Sequence, residues 1–329
     1  MSTLVSTQTP HRVSFVGGGT DLPEVSEAIG GAVLNIAIRQ YVYVTVKKHS
    51  GLFHDKYRLQ YASTEYRSTL SEIQNDIIRM TLLHFNINDP LMINTFSDLP
   101  DSCGLGSSSS FSVGLVNALN TMFCLGIANS SIAETAFQIE RSVLGSSVGR
   151  QDMYAAATGG INLFEFGSKH SISPIHNSDL ISEKLLSCMK IYWTNIQRSA
   201  SEQLSEQIKL YERNIPKYIK MKELAINTYS KVCLMPEDLI QIFAESINLN
   251  RNLKYTLSDG IVSDEVLKLE RRILDNGAIA TKLLGAGGGG FILALFPNKI
   301  ESKSSEESID LISLPVELDL LGTRVTQDI

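Results

Sequence analysis

The sequence predicts an α+β fold, because segments with strand-like and helix-like periodicity are mixed along the chain and do not alternate strictly. Residues 31–48 are rich in β-branched and aromatic side chains, a composition typical of strands. Apolar side chains recur at helical spacing over residues 70–86, which predicts a surface helix. In the second half, three helical patterns follow one another, over about residues 200–230, 236–256 and 261–275.

The remaining predicted elements surround three glycine-rich segments. A short alternating strand that begins at His11 leads into the first of these segments. The elements that follow in the first half begin with a strand at 91–96 and a helix that ends near Leu125. A helix from 130 to about 144 and a loop at 145–152 come next. A helical stretch at 152–157 and a strand at 160–166 complete this half. The later predicted strands are 189–193, 291–296 and about 309–316, with an exposed polar loop at 299–308.

Length and composition exclude several classes of protein. A chain of 329 residues can hold two ordinary domains or one large domain, and 43% hydrophobic residues suffice for a normal core. The net charge of −6 argues against nucleic acid or an anionic membrane as a partner. No apolar run is long enough to cross a bilayer, and the first residues lack the basic and apolar regions of an export signal. We therefore expect a cytoplasmic protein that acts on small molecules.

The four cysteines are far apart in the sequence, with no Cys-x-x-Cys pair and no clustered histidines beside them. This spacing predicts free thiols in a reducing compartment instead of disulfides or a zinc site. Cys103 lies just before a predicted helix. Because a helix N-terminus can stabilise a thiolate, we expect a lowered pKa for Cys103 and the highest reactivity of the four thiols.

The segment GLGSSSS at 104–110 leads directly into a helical pattern. Gly104 and Gly106 allow the backbone to approach a ligand closely, because they have no Cβ. The serines stand where unpaired backbone N–H groups and the positive end of the helix dipole would face a bound anion. Such a loop suits a phosphate, and serine hydroxyls can also bind its Mg²⁺. The alternative is a serine-rich helix cap with no ligand.

Two further glycine-rich segments stand near the ends of the chain: HRVSFVGGGTDLP at 11–23 and KLLGAGGGGFILALF at 282–296. Neither has the Gly-Lys-Ser/Thr of a Walker loop, nor the glycine spacing of a dinucleotide-binding loop. Three glycine-rich segments in this order, with the central one opening a helix, resemble the three motifs of the GHMP kinases. Members of that superfamily phosphorylate small metabolites with ATP.

Within the superfamily, three segments resemble one group of enzymes more than the others. GGGTDLP at 17–23, QRSASE at 197–202 and KLLGAGGGGF at 282–291 are similar to the D-glycero-D-manno-heptose 7-phosphate kinases of bacterial surface-polysaccharide pathways. Galactokinase-like enzymes would instead carry Gly-Glu-His in the first motif. One departure is that Asp101 and Cys103 stand where the family usually has small residues or proline.

This resemblance implies a two-domain fold and a reaction. Residues 1–185 would form an N-terminal domain like domain 2 of ribosomal protein S5, and residues 186–329 a ferredoxin-like C-terminal domain. The implied reaction transfers phosphate from ATP to the anomeric C1 hydroxyl of D-glycero-D-manno-heptose 7-phosphate and gives the 1,7-bisphosphate, for nucleotide-activated heptose in capsule or lipopolysaccharide synthesis. The alternatives are a fucose-like or galactose-like acceptor, and a non-catalytic ligand sensor on the same fold. A homodimer is compatible with the chain, although no pattern indicates it.

The resemblance also implies roles for individual residues. Asp152 would be the catalytic aspartate, as a base or as an orienting group, and Arg12 would lie beside it. Glu140 would bind Mg²⁺ together with a serine of the loop, for which we take Ser108. The implied triphosphate-binding residues are Gly104, Leu105, Gly106, Ser107, Ser108 and Ser109. The implied substrate-binding residues are Gly17, Gly18, Gly19, Thr20, Asp21, Arg198, Ser199, Lys282, Gly287 and Gly288.

Each charged residue of this set has a structural alternative. Arg12 and Asp152 could form an ion pair that only stabilises the fold, and that pair could coexist with a catalytic role. Glu140 could pair with Arg141 or lie on a solvated helix face. Arg198 is the candidate for binding the phosphate that the substrate already carries, because its planar guanidinium matches a phosphate, or it could be a solvent-exposed helix residue.

Overall fold

The chain folds into an eight-stranded sheet and a four-stranded sheet with helices packed on them. The computed structural model describes residues 2–145, 148–175, 178–197, 200–300 and 311–329. The strands are β1 Leu4–Val16, β2 Gly31–Lys48, β3 Tyr57–Gln60, β4 Thr64–Arg67, β5 Leu91–Ser97, β6 Ile161–Phe166, β7 Ser171–Pro174, β8 Met189–Trp193, β9 Ala280–Leu283, β10 Phe291–Leu295, β11 Ser313–Leu314 and β12 Arg324–Asp328. The helices are α1 Pro23–Ile29, α2 Asp76–His84, α3 Ser107–Phe123, α4 Asn129–Leu144, α5 Gln151–Thr158, α6 Ser178–Ser187, α7 Ala200–Lys209, α8 Tyr211–Leu234, α9 Leu239–Lys254 and α10 Asp264–Asp275. This mixture confirms the predicted α+β class.

The eight-stranded sheet is organised around the long strands β1 and β2, which pair antiparallel over most of their length. The first half of β2 also pairs with β6, and its second half pairs with β5. The β1–β2 register shifts between Pro10 and His11. Proline has no N–H for the ladder, and such irregularities change the direction of the strand that follows. The shift lies immediately before Arg12, whose side chain reaches the functional site described below.

Helix α3 packs closely on β1 and β2 because Gly114 lies at their contact. A Cβ at Gly114 would be only 2.8 Å from the Thr9 hydroxyl oxygen. The hydroxyl of Thr7 donates to the Gly114 carbonyl over 3.0 Å. The buried residues of α3 pack on strands β1 and β2 around this contact. The glycine therefore fixes the position of the helix whose N-terminus carries the serine loop.

The four-stranded sheet, in the order β11-β8-β10-β9, shares a hydrophobic core with the eight-stranded sheet. The rings of Phe15 on β1 and Phe243 on α9 meet edge to face, with centroids 4.8 Å apart. The last strand, β12, pairs antiparallel with β1. Both ends of the chain thus contribute to one sheet, and the division at residue 185 stays a prediction.

Several predicted elements differ from the structure. The helix predicted over 70–86 is a 3₁₀ turn at Leu70–Glu72 followed by α2, which begins after Asn75 because its side chain caps the backbone N–H of Ile78. The helix predicted over 200–230 is divided into α7 and α8. The strand predicted near 309–316 is the two-residue β11. Residues 301–310, which include most of the loop predicted at 299–308 and the start of that predicted strand, lie outside the described residues. Short or mostly exposed elements without a full apolar period were missed: α1, α6, β3, β4, β7, β9 and β12.

Candidate active site

A cavity of about 200 Å³ lies between the start of α3, strand β1, the start of α5 and the loop after β9. The predicted site residues that line it are Arg12, Gly18, Gly19, Asp21, Gly104, Gly106, Ser107, Ser108, Ser109, Glu140, Asp152 and Lys282. Predicted residues that are not among its lining residues are Gly17, Thr20, Leu105, Gly287 and Gly288. Arg198 and Ser199 lie outside the described residues. All three glycine-rich segments therefore contribute to one cavity, although they are far apart in the sequence.

The serine loop opens α3 in a conformation that requires glycine. Gly106 precedes the helix with a φ of 81°, in the left-handed region. A Cβ there would lie 3.2 Å from an Asp152 carboxylate oxygen. Ser107–Ser109 form the first turn of α3, whose backbone N–H groups have no partners within the helix. The loop thus presents an anion-binding helix N-terminus to the cavity. Leu105 stands behind it, and its carbonyl accepts a bond of 3.1 Å from the Arg12 backbone N–H.

Arg12 and Asp152 form a partly buried bidentate ion pair. The Nε and Nη2 of Arg12 each donate to one Asp152 carboxylate oxygen over 2.7 Å. The third nitrogen, Nη1, donates to the Gly104 carbonyl over 2.7 Å. Asp152 retains 22% side-chain exposure toward the cavity, whereas Arg12 has 5%. The pair therefore joins the serine loop to the start of α5 and leaves the carboxylate accessible to a ligand.

Glu140 on α4 has a different environment. Its Oε1 accepts a hydrogen bond of 2.7 Å from the Ser108 hydroxyl, and its buried Oε2 has no hydrogen-bond partner among the described residues. Burial raises the pKa of this carboxyl to about 7, and the charge of Asp152 adds to the shift, while the hydrogen bond from Ser108 opposes it. The alternative pairing with Arg141 is not found, because Arg141 lies 3.9 Å from Glu24 and from Glu27.

The Ser108–Glu140 pair has the composition of a magnesium site. A hydroxyl and a carboxylate with a free oxygen are the oxygen ligands that Mg²⁺ prefers, and phosphate oxygens and water commonly complete its shell. A divalent cation would also stabilise the ionised form of a carboxylate that burial otherwise disfavours. No group of three or more His, Cys, Asp or Glu side chains placed to bind a metal occurs in the described part of the chain, so Ser108 and Glu140 would bind Mg²⁺ together with the oxygens of its ligand.

The first glycine-rich segment forms a tight turn around a buried carboxylate. Asp21 accepts hydrogen bonds from the backbone N–H groups of Gly19 and Gln151, both of 3.0 Å. Burial raises the pKa of Asp21, and these backbone bonds oppose the increase. The Thr20 hydroxyl instead bonds to the Gly17 and Ala32 carbonyls, so that it stabilises the turn.

The third segment packs against the serine loop. A Cβ at Gly285 would lie 2.5 Å from the Gly104 Cα, so the two loops meet backbone to backbone. Gly287 and Gly288 contact the Ile261 carbonyl instead. Lys282 is fully buried, donates to the Ser14 and Phe15 carbonyls over 2.8 and 2.9 Å, and has a pKa that burial holds well below its ordinary range.

Comparison with known proteins assigns this site to a family. Residues 72–160 match the GHMP kinases N terminal domain, and residues 237–309 match the GHMP kinases C terminal domain. A D-glycero-alpha-D-manno-heptose 7-phosphate kinase of Campylobacter jejuni is 31% identical over 301 residues, which cover 88% of each chain. The chain belongs to the GHMP kinases.

Two further relatives extend the comparison. A mevalonate kinase of Pyrococcus abyssi is 26% identical over 243 residues, covering 73% of this chain and 70% of that protein. The crystal structure of a D-glycero-D-manno-heptose 1-phosphate kinase from Bacteroides thetaiotaomicron has a TM-score of 0.78 at 22% identity, covering 98% of this chain and 99% of that one. That likeness shows a shared fold. This GHMP kinase is an ATP-dependent sugar kinase, a phosphotransferase with an alcohol group as acceptor. Among its described helices, none is both long and apolar enough to cross a membrane.

The prediction for Cys103 was wrong. Its side chain is fully buried, and burial raises the pKa of the thiol, although a hydrogen bond from Ser107 opposes the increase. The argument from the helix N-terminus omitted desolvation, which is the larger effect here. The exposed free thiols are those of Cys124 and Cys233.

Sequence reasoning also missed lining residues of this kinase, among them Ser14, Gly149, Gln151, Gln207 and Lys254. Gln151 adjoins the predicted Asp152, and Gly149 leaves room for Asp21, whose carboxylate a Cβ would approach to 2.1 Å. Because Gln151 and Gly149 are close in sequence to the predicted Asp152, that motif could have indicated both residues. Lys254 and Gln207 lie on helices far from any glycine-rich motif, so no sequence signal marked them.

Proposed function

We propose that this kinase phosphorylates the anomeric C1 hydroxyl of D-glycero-D-manno-heptose 7-phosphate and forms the 1,7-bisphosphate. The observation that carries a kinase mechanism is the bidentate Arg12–Asp152 pair, which adjoins the N-terminus of α3 within one cavity. The choice of acceptor is supported by the relative at 31% identity and by the QRSASE segment. The product would supply nucleotide-activated heptose for capsule or lipopolysaccharide, in the cytoplasm where ATP is available.

Each wall of the cavity then has a role. The backbone N–H groups of Ser107–Ser109 bind the triphosphate, and glycine at 104 and 106 lets the phosphates approach. Ser108 and Glu140 hold Mg²⁺, which neutralises phosphate charge when it is bound. The turn at Gly18 and Gly19, with Asp21 beneath it, binds the sugar.

Asp152 accepts the hydrogen bond of the acceptor hydroxyl and orients it toward the phosphate. Arg12 holds the carboxylate in place through two bonds, so the aspartate keeps one orientation. The guanidinium also places a positive charge beside the site where the phosphoryl group is transferred.

The acceptor is tested by ADP release from Mg-ATP with a panel of sugars: D-glycero-D-manno-heptose 7-phosphate, sedoheptulose 7-phosphate, mannose, galactose and fucose. We expect turnover of the manno-heptose phosphate alone, and its loss in Asp152→Asn. Turnover of a free sugar would replace the proposed acceptor with a fucose-like or galactose-like one. ATP binding without turnover of any sugar would favour the ligand sensor.

Arg198 remains a prediction from the sequence, as do the homodimer and the two domains 1–185 and 186–329. We propose that Arg198, with Ser199, binds the 7-phosphate. Arg198→Ala should raise the KM of the phosphosugar at least tenfold, as expected when a charge-assisted bond to phosphate is lost, with the KM of ATP unchanged. An unchanged KM of the phosphosugar would contradict this role.

A further inference from the structure

A second buried cation, Lys254, lies in the cavity beside the Arg12–Asp152 pair. It is the last residue of α9 and has only 6% exposure. The guanidinium of Arg12 is fully engaged by Asp152 and by the Gly104 carbonyl. By contrast, Lys254 donates to the Gly285 carbonyl, and among the described residues no carboxylate forms an ion pair with its ammonium.

The end of α9 is held where the three glycine-rich segments meet. One helical turn before Lys254, the Asn250 side-chain oxygen accepts a bond of 2.9 Å from the Gly17 backbone N–H, in the first segment. Lys254 itself bonds to Gly285 in the third segment, and Gly285 packs against Gly104 in the second. The ammonium therefore stands between the loop that presents an anion-binding N-terminus and the turn that surrounds Asp21.

The position is costly for a cation in the absence of a ligand. The pKa of Lys254 is lowered to about 8, mainly by burial and also by the positive charge of Arg12, while Asp21 and Asp152 act in the opposite direction. Lys282 is close enough that the positive charge of Lys254 contributes to lowering the pKa of Lys282. A buried ammonium with no contacting carboxylate is stabilised when a bound anion supplies the missing charge.

We propose that Lys254 is a further catalytic residue of this kinase, whose ammonium binds the phosphoryl group while it passes from ATP to the sugar. In that step the acceptor oxygen forms a bond to the γ-phosphorus while the bond from phosphorus to the β–γ bridging oxygen breaks. The electron pair of the broken bond remains on ADP, and the hydroxyl proton passes to Asp152. Lys254 keeps its own proton and donates to the non-bridging phosphoryl oxygens, where negative charge accumulates.

The test compares Lys254→Met with Lys254→Arg in the ADP-release assay. Loss of one preorganised donor at the transferred group should lower kcat by about 100-fold in Lys254→Met, with the KM of ATP within about twofold of wild type. Lys254→Arg should retain more activity, because it keeps the charge. The control is Lys222→Met, which also removes a lysine–carbonyl bond, of 2.6 Å to Ile29, but lies outside the cavity. It should leave kcat unchanged.

The pH profile separates a catalytic charge from a structural one. The neutral amine predominates above the pKa of Lys254, so kcat/KM of the wild type should fall above pH about 8. That fall should be absent in Lys254→Arg, which stays charged. The proposal is overturned if Lys254→Met keeps the wild-type kcat, or if Lys254→Arg shows the same fall.

The inference rests on the sugar-kinase activity and not on the identity of the sugar. The assay uses D-glycero-D-manno-heptose 7-phosphate, or the sugar of the panel that is turned over in its place. Turnover of another sugar would overturn the proposed acceptor, but the test of Lys254 would still be valid. Melting temperature and ADP binding check that Lys254→Met is folded. If it is not, the profile of Lys254→Arg decides alone.

Discussion

Two of the three carboxylates that line the cavity, Asp152 and Glu140, have opposite environments. Asp152 is held by two charged hydrogen bonds from Arg12 and remains partly exposed to the cavity. Glu140 is buried, its Oε1 accepts a hydrogen bond from the Ser108 hydroxyl, and among the described residues its Oε2 has no partner. The protein thus supplies the counter-charge for the first carboxylate and leaves that of the second to a ligand. This difference is the physical basis for assigning catalysis to one and metal binding to the other.

The largest expected effect is that of Asp152→Asn. The amide keeps the shape of the side chain but cannot take the hydroxyl proton, and it leaves the buried guanidinium of Arg12 without its counter-charge. We expect kcat to fall by about 10³-fold, within the range for loss of a general base, and the protein to be less stable. Single-turnover kinetics and thermal unfolding measure both effects.

A matched control for this substitution is Asp55→Asn. It removes the Arg58–Asp55 ion pair, which is 3.5 Å long and partly exposed. Exposed pairs contribute little, so stability and kcat should be close to wild type. A normal kcat in Asp152→Asn would show that the Arg12–Asp152 pair serves the fold alone.

Glu140 should make stability depend on pH and on Mg²⁺. Its pKa is raised in the folded protein from 4.5 to about 7, so the folded state binds more protons than the unfolded state between these values. Stability without metal should therefore fall as pH rises from about 4.5 to 7, by about 3 kcal/mol in all. Urea unfolding in EDTA measures this slope, and saturating Mg²⁺ with ADP should diminish it.

Glu140→Gln should remove the contribution of Glu140 to that slope, because the amide does not titrate, and it should weaken the response of activity to Mg²⁺. The control is Glu270→Gln, since Glu270 is another buried carboxylate whose pKa burial raises, but it bonds to Tyr255 outside the cavity. Its substitution should leave the Mg²⁺ dependence unchanged. If Glu140→Gln and Glu270→Gln alter that dependence equally, Glu140 is not a metal ligand.

Ser108→Ala should have a smaller effect on the same site. It removes the hydrogen bond that favours the ionised form of Glu140 and one oxygen ligand of the proposed metal. We expect Mg²⁺ to activate at about tenfold higher concentration, with kcat at saturating metal nearly unchanged. Titration of activity with Mg²⁺ measures this. Ser112→Ala, one turn later on α3 and buried, is the control and should leave the midpoint unchanged.

Much of this arrangement could be predicted from the sequence, because glycine-rich turns and helix starts are local features. The order of the three segments predicted which parts of the chain line the cavity. Contacts made by distant helices could not be predicted in this way. Lys254 enters the site only because α9 packs on β1, and no nearby motif reports that packing. Burial could not be predicted from the sequence either, and it shifts the pKa values of Glu140 and Lys254.

Cys103 provides the smallest predicted effect and a direct measure of burial beside the serine loop. Because its thiol is enclosed and its pKa is raised, a maleimide should label it more slowly than the exposed Cys124 and Cys233. Mass spectrometry of labelled peptides at pH 7 gives the three rates. Bound ATP should change the rate at Cys103 little, since the folded protein already excludes the reagent. Labelling of Cys103 as fast as that of Cys124 would show that the serine loop opens readily. The buried environment of Glu140 would then be transient as well.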